Sequence, residues 1–251
     1  MNVRTNRIID YINDSGRASV AELSSELNVS VETIRRDLKH LDAIGYLVRV
    51  HGGAVSKKNN DVGTSFNNRV KSNVEVKQNL VDKIIPQLFE GAVIGLDASS
   101  SCWHFAQSMP NISCTVVTNS LNVINALKGK DKVNIIGLGG NYSEKYEAFY
   151  GVLAKNMLDG ISLDLCLISC VGFDFTHGVW DSNEYNYEIK RKLIDISEQV
   201  ILIADKSKLH KRSLLKICDA VEVDIVVTDV ILGSDKKREI ENSNNLLIIN
   251  N

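Results

Sequence analysis

The chain has 251 residues, 44% hydrophobic and 24% charged, with only two prolines and a formal net charge of −2. This composition excludes a collagen-like fibre and a wholly disordered polymer, and the length suits a small domain followed by a medium one. The charge is uneven: residues 1–58 carry nine Lys/Arg against seven Asp/Glu and the remainder 20 against 24, the direction expected if the N-terminal part meets an anionic polymer.

No apolar run is longer than a few residues, as at 200–204, so neither a membrane span nor a membrane partner is expected. Residues 1–7 are polar and lack the apolar core of a signal peptide, which points to a cytoplasmic protein. Residues 7–12 place Ile8, Ile9, Tyr11 and Ile12 at amphipathic-helix spacing, and Gly16 stops that helix. Ser19, with Glu22 three residues on, forms a capping box for a short helix over 20–27. Asn28-Val29 makes a tight turn, Ser30 caps a third helix over 31–41, and Gly45 is placed to end it.

On the third helix Ile34, Leu38 and Leu41 share a stripe about 60° wide that faces a core, while Glu32, Arg35, Arg36 and Lys39 project from the other side. Two short helices joined by a tight turn, the second basic on its outer face, make a helix-turn-helix. Arginine on such a helix reaches both phosphates and guanine edges in the major groove. A basic face alone is more often simply solvated; the turn, the Ser cap and the ribbon at 46–54 favour DNA. That ribbon suits a wing beside the duplex backbone, with Arg49 and His51 as phosphate contacts.

Residues 57–61 are polar with no apolar period and read as a linker, giving a DNA-binding domain over 1–58, a linker over 59–74 and an effector-sensing domain over 75–251. A helix is expected over 74–89. Strands over 92–96, 114–118, 132–136, 165–169, 199–204 and 224–228 then alternate with helices over 101–108, 121–127, 150–158 and 183–196. Apolar strands separated by helices predict an α/β fold with a mainly parallel sheet covered on both faces, and ligands of such sheets bind beyond the C-terminal strand ends.

Those ends are polar. The first opens through Asp97, Ser99, Ser100 and Ser101 into a helix, where hydroxyls and free N–H groups suit an anion, although serine there is also an ordinary cap. The second ends in Thr118-Asn119-Ser120, the third in Gly139-Gly140, and the strand at 199–204 in Asp205-Lys206-Ser207-Lys208. Asp181, Ser182, Asn183 and Glu184 cluster at a helix start as caps or as hydrogen-bond partners for sugar hydroxyls, and Trp180 stacks on a sugar face or fills the core. The odd cysteine count, with Cys166 and Cys170 in an apolar run, reads as reduced core thiols. No metal and no cofactor is expected.

Val29-Ser30, Thr33-Ile34-Arg35-Arg36-Asp37-Leu38, Gly45 and His51-Gly52-Gly53-Ala54 resemble the signature of DeoR-type transcriptional regulators, whose helix-turn-helix corresponds to about 20–39. The resemblance implies a winged helix-turn-helix that contacts a double-stranded DNA operator through Ser30, Glu32, Thr33, Arg35, Arg36, Lys39, Arg49 and His51. It also implies a sensor domain similar to sugar-phosphate isomerases that binds a phosphorylated sugar. The family's Asp-x-Gly-Thr-Thr loop falls on Asp97–Ser101, its Thr-Asn-Ser on Thr118–Ser120, its Gly-Gly on Gly139-Gly140 and its Asp-x-Ser-Lys on Asp205–Lys208. Ser99 stands where the family has glycine, which requires another turn or a hydroxyl contact. That departure, with Cys102-Trp103, Trp180–Asn183, Asn186 and Lys190, is similar to the fucose-responsive branch and implies fuculose 1-phosphate or a close relative as effector. The expected effector set is Asp97, Ser99, Ser100, Ser101, Asn119, Ser120, Gly139, Gly140, Asp181, Asn183, Lys190 and Lys208.

Half-site recognition by such a module implies a homo-oligomer of even number. The main reading is a transcriptional regulator and not an enzyme. The competing readings are a sugar-phosphate isomerase-like enzyme with an appended DNA-binding domain, using Asp97 or Asp181 as base, and a redox sensor built on Cys102 at its helix start.

Overall fold

The apolar stripes of the first module meet in one core. The computed structural model describes residues 3–50, 52–56 and 63–250, which divide into two units between Ser65 and Phe66. In the first unit α1 (Val3–Ser15), α2 (Val20–Leu27) and α3 (Val31–Ala43) bury Ile8, Ile12, Leu23, Ile34, Leu38 and Leu41 against one another. Ala18, Leu47 and Ala54 close this core from β1 (Arg17–Ser19), β2 (Leu47–Val50) and β3 (Gly53–Ser56), an antiparallel sheet of order β1-β3-β2. The ribbon β2–β3 matches expectation. Strand β1 is an addition, three residues being too few to show an alternating pattern.

The second unit begins with α4 (Phe66–Val70) and α5 (Val74–Asp82). Residues 66–74, which the polar composition assigned to a linker, therefore belong to the folded sensor unit, where Phe66 is buried and its ring meets Trp103 edge-on at 6.2 Å. The helix expected over 74–89 stops at Asp82. Pro86 lacks an N–H and restricts its neighbour, so the chain continues as a single 3-10 turn, Ile85–Gln87.

Beyond it run β4 (Val93–Leu96), α6 (Ser100–Ser108), β5 (Cys114–Thr118), α7 (Leu121–Leu127), β6 (Val133–Gly137), β7 (Asn141–Ser143), β8 (Ala148–Tyr150), α8 (Val152–Asn156) and β9 (Leu163–Ser169). They are followed by β10 (Gly172–Asp174), β11 (Gly178–Asp181), α9 (Glu184–Asp195), β12 (Ser197–Ile203), β13 (Leu215–Cys218), β14 (Ile225–Val227), α10 (Ser234–Asn244) and β15 (Leu247–Ile249). All six expected strands lie in one seven-stranded sheet of order β15-β14-β12-β9-β4-β5-β6, every pairing parallel.

Side-chain alternation sends Cys166, Ile168, Val200 and Leu202 to one face, with Ile189 and Leu193 of α9. Leu165, Leu167, Ile201 and Ile203 go to the other, with Leu80 of α5 and Phe105 of α6. Strands buried on both faces explain the unbroken apolar runs in the sequence. The five cysteines are buried and free. Burial pushes the thiols of Cys166 and Cys170 up to about 12, which fits inert core residues.

The helix expected over 150–158 is shorter. Tyr150 pairs with Asn141 in the antiparallel β7–β8 hairpin, and Gly151 at φ 90° separates that strand from α8. A second antiparallel sheet, order β10-β11-β13, is likewise absent from the sequence reading. Among the described residues no helix is long and apolar enough to cross a membrane.

One close approach makes the small sheet of the first unit testable. A Cβ at Gly53 would stand 2.1 Å from the carbonyl oxygen of Ala18 on the paired strand. Gly53→Ala should therefore destabilise the first unit by about 1–3 kcal/mol, an overpacking cost, measured as a lower urea midpoint for that unit. Gly52→Ala, at φ 82° but in open space, should act through backbone strain alone and leave the β1–β3 pairing intact.

Candidate DNA-contacting face and effector site

In the first unit Ser19 Oγ accepts the N–H of Glu22 at 3.1 Å and Glu22 Oε2 accepts the N–H of Ser19 at 2.7 Å, the expected capping box. Asn28, at φ 51°, ends α2 in the left-handed conformation that asparagine tolerates. Ser30 Oγ accepts the Thr33 N–H at 3.3 Å and also bonds its hydroxyl at 2.9 Å, so both side chains belong to the cap of α3. Ile34, Leu38 and Leu41 are buried, whereas Glu32, Arg35, Arg36 and Lys39 are exposed, which is the expected division of this helix. Arg35 lies 3.7 Å from Glu32 in an exposed ion pair.

A groove of about 360 Å³ runs between the start of α3 and the hairpin, lined by Val31, Arg35, Arg49, Val50 and Gly52 among others. It brings Arg35 and Arg49, far apart in sequence, to one cleft. His51 lies outside the described residues. Asp37 entered the sequence reading only as part of the signature, with no partner assigned. It is buried within the basic helix and accepts Arg4 Nε at 2.6 Å and Nη2 at 3.2 Å, a bidentate pair fixing α1 to α3.

In the second unit the polar residues gather beyond the C-terminal ends of β4, β5, β6, β9 and β12. Ser99 at φ −87° is extended and caps α6 by accepting the Cys102 N–H at 3.1 Å, so serine in place of glycine costs no backbone strain. Asp97 accepts the N–H groups of Ser99 at 2.9 Å and Ser169 at 3.1 Å. Lys190 Nζ sits 3.3 Å from Asp97 Oδ2, 2.5 Å from Asp181 Oδ2 and 2.6 Å from the Ser169 carbonyl, with all three charged groups buried.

Burial opposes the charge on Asp97, but Lys190 and the donors from Ser99 and Ser169 outweigh it and hold its pKa below the ordinary carboxylate value. Burial likewise opposes the charge on Lys190, and the two carboxylates more than reverse this. Cys102 donates its thiol to the Leu167 carbonyl at 3.1 Å. Burial, reinforced by Asp97, raises its pKa well above the ordinary value, the opposite of an activated thiolate.

Asn183 caps α9 through the Asn186 N–H at 2.8 Å and donates to the Tyr146 hydroxyl at 2.9 Å. Tyr150 donates to Asn186 Oδ1 at 2.7 Å. Asn119 donates to the Phe149 carbonyl at 3.0 Å, and Ser120 caps α7. The hairpin β7–β8 thus joins the end of β5 to the start of α9. Gly140, at φ 131°, packs so closely that a Cβ would meet the Tyr150 carbonyl at 2.5 Å, and the Gly139 N–H points to Met157 Sδ at 3.1 Å. Trp180 is buried and lies under the Arg212 guanidinium at 5.7 Å.

Lys208 is half-buried on the 3-10 turn Lys206–Lys208, which Asp205 caps through the Ser207 N–H. Two nearby bonds to Asp174, from His177 at 2.9 Å and His210 at 2.8 Å, fix the loop that follows. Among the described residues four buried side-chain polar atoms have no hydrogen-bond partner: Asn119 Oδ1 and Ser182 Oγ beside these strand ends, His104 Nε2 on α6 and Arg69 Nε on α4. Sequence reasoning missed Tyr146 and Tyr150 as polar partners and named Asn186 only within the resemblance, outside the effector set. Asn186 sits three residues past Asn183 on a helix start and carried a signal; the two tyrosines sit in a hairpin with none. Among the described residues no three His, Cys, Asp or Glu side chains are grouped to hold a metal.

The winged helix-turn-helix and the parallel sheet with a buried polar site at its strand ends define a DNA-binding regulator with a ligand-sensing unit. Residues 4–60 match the DeoR-like helix-turn-helix domain and residues 72–230 the DeoR C terminal sensor domain. The chain belongs to the DeoR family of transcriptional regulators. It is 44% identical to an L-fucose operon activator of Haemophilus influenzae, covering 96% of this chain and 97% of that one. It is 34% identical to the L-fucose operon activator of Escherichia coli K12, covering 90% and 94%. Ribose 5 phosphate isomerase A from Neisseria gonorrhoeae is similar at 18% identity over 55% of this chain and 54% of that one, with a TM-score of 0.41.

The triad around Lys190 carries its own test. Lys190→Met would leave two buried carboxylates without their cation and should cost about 3–5 kcal/mol in denaturant unfolding at pH 7. The pKa of Asp97, lowered in the native protein, would then rise above its unfolded value. The folded variant would bind more protons than the unfolded chain, so its stability should increase as the pH falls from about 7 to 5. The parent protein, whose Asp97 titrates below that range, should gain nothing from this group over the same interval.

Proposed function

We propose that this chain regulates a sugar-utilisation operon, binding its double-stranded operator through α3 and the β2–β3 hairpin and releasing or rearranging on it when a phosphorylated sugar binds at the strand ends of the second unit. The observation that carries the effector half is the enclosure of Asp97, Ser99, Ser100, Ser101, Asn119, Ser120, Asp181, Asn183 and Lys190, each at most 5% exposed, around strand ends where the buried Asn119 Oδ1 and Ser182 Oγ lack partners. Polar groups are not assembled in a dry interior unless they serve each other or a ligand.

On this reading Arg35 and Arg36 supply groove and phosphate contacts, Lys39, Arg49 and His51 add phosphate contacts, and Glu32 tunes the face. Ser30 and Thr33 cap the helix and hold its first turn against the duplex. In the sensor, Ser100, Ser101 and Lys208 meet the phosphate, with Ser99 shaping the loop. Asn119, Ser120, Asp181 and Asn183 meet sugar hydroxyls, Gly139 and Gly140 let the backbone approach, and Asp97 with Lys190 holds the frame. Fuculose 1-phosphate is the first candidate effector, in line with the fucose operon activators that the chain resembles.

An isomerase needs a base poised near neutral pH. Asp97 is tied up by a lysine and two N–H groups and held below the ordinary carboxylate range, so it is a poor one. The reading is therefore of a sensor without turnover, acting in the cytoplasm as an even-numbered homo-oligomer.

Arg35→Ala with Arg36→Ala should nearly abolish operator binding, since one bidentate base contact alone gives about 1–3 kcal/mol of discrimination. Ligand binding to the same variant, titrated in parallel, should be unchanged; normal operator affinity would mean that another face reads DNA. Calorimetric titration of the full chain with L-fucose, L-fuculose and fuculose 1-phosphate should give measurable affinity for the phosphate alone. Ser100→Ala and Lys208→Ala should each weaken it by about 1.5–3 kcal/mol, roughly tenfold to hundredfold. Equal binding of the free sugar would reduce the serine loop to a helix cap. Incubation with ketose and aldose phosphates should yield no interconversion.

A further inference from the structure

Helix α8 and the turn that ends it carry more apolar side chains outward than inward. Ala154 and Leu158 are buried, whereas Val152 is 71% exposed, Leu153 69% and Met157 43%. At about 100° per residue the three exposed residues span an arc of about 140°, against about 40° for the two buried ones. Tyr185, on the first turn of α9, continues this arc. It is 55% exposed, and its ring meets that of Tyr150 at 5.9 Å, two residues before Val152. Single exposed apolar side chains are ordinary on a protein surface; four grouped on two adjacent helices mark an interaction site.

The rim of this patch is polar and balanced in sign. Lys155 on α8 stands 3.9 Å from Glu188 on α9, and Asp159, just past α8, 2.6 Å from Lys192 on α9. Each side of the patch therefore offers one cation and one anion. Such a rim has no net charge with which to attract a nucleic acid or a partner of one sign. It does complement itself. In a two-fold contact the same patch stands on both sides, so the lysines of one copy face the acids of the other while the apolar centres cover one another. The DNA-binding unit gives an independent reason for a second copy, since one helix-turn-helix reads one half-site and paired half-sites need two of them held together.

We propose that the face formed by α8 and the start of α9, centred on Val152, Leu153, Met157 and Tyr185, is the surface on which a second copy of this chain docks. The start of α9 serves two sides. It carries Tyr185 outward, and it carries Asn183 and Asn186 inward to the hydroxyls of Tyr146 and Tyr150. Substitutions that test the interface therefore belong on α8, where they leave those inward bonds in place.

The test is sedimentation equilibrium of the full chain over a micromolar concentration series. The parent should associate into dimers or a larger even assembly. Leu153→Asp puts a charge at the patch centre and should weaken one association step by about thirtyfold or more. Because Leu153 is already exposed, the variant should keep the parent's circular dichroism and unfolding midpoint. Val152→Lys, of opposite charge, should act in the same direction. Lys155→Glu and Glu188→Lys should each weaken association, and the double exchange, which restores the balance of the rim on both copies, should regain most of the loss.

If the parent is monomeric throughout the series, or folded Leu153→Asp associates as the parent does, the proposal is overturned and the patch belongs to a different partner. A double exchange no better than its single variants would overturn the charge-matched arrangement. None of these outcomes bears on the effector reading, which rests on the polar strand ends.

Discussion

Lys190 Nζ sits between Asp97 at the end of β4 and Asp181 at the end of β11, and it also holds the carbonyl of Ser169 at the end of β9. An ammonium group with no water must find its partners in the protein, and here those partners are the ends of three separate strands. Lys190 itself rides on α9, whose Ile189 and Leu193 pack on the sheet face that carries Cys166 and Ile168. The helix therefore cannot slide along the sheet without breaking a buried ion triad. The same constraint sets the loop after β4: Asp97 directs one oxygen at Lys190 and the Ser169 N–H and the other at the Ser99 N–H, which turns the chain into α6.

The two units treat charge in opposite ways. On α3 the cations are exposed, and burial is reserved for Ile34, Leu38, Leu41 and the single acid Asp37 that Arg4 neutralises. Such a face keeps its hydration until a polyanion displaces it, and its pairing through Glu32 is a weak surface contact. At the strand ends of the sensor unit the ions Asp97, Asp181 and Lys190 are buried and preorganised, each held by more than one contact. There the cost of desolvation has been met on folding, so the strand ends present groups whose geometry does not depend on solvent.

Much of this was legible in the sequence because it rests on local rules. The capping box at Ser19 and Glu22, the Ser30 cap and the outward Arg35-Arg36 pair follow from spacing within a few residues. Six of the seven strands of the parallel sheet followed from apolar runs too short for helices and bounded by polar steps, whereas the edge strand β15 did not. The motif at Asp97–Ser101 marked a polar turn from strand into helix, although the role of Ser99 was open. Its extended backbone and its bond to the Cys102 N–H mean that the departure from glycine changes how α6 is capped, not how the chain turns.

What stayed hidden depends on closure of the tertiary structure. The composition of residues 57–65 is that of a linker, and nothing local distinguishes Phe66-Asn67-Asn68-Arg69 from its continuation. Phe66 becomes core only because Trp103 of α6 stands beside it, and Arg69 meets Ala98 only because the two helices dock there. The burial of Asp37 is not legible from the sequence, since its partner lies 33 residues away on α1. Tyr146 and Tyr150 lie in a hairpin too short to show a pattern, yet they supply the hydroxyls that meet Asn183 and Asn186. In each case the missing information is a long-range contact that no periodicity encodes, and such contacts are what turn a row of polar strand ends into an enclosed site.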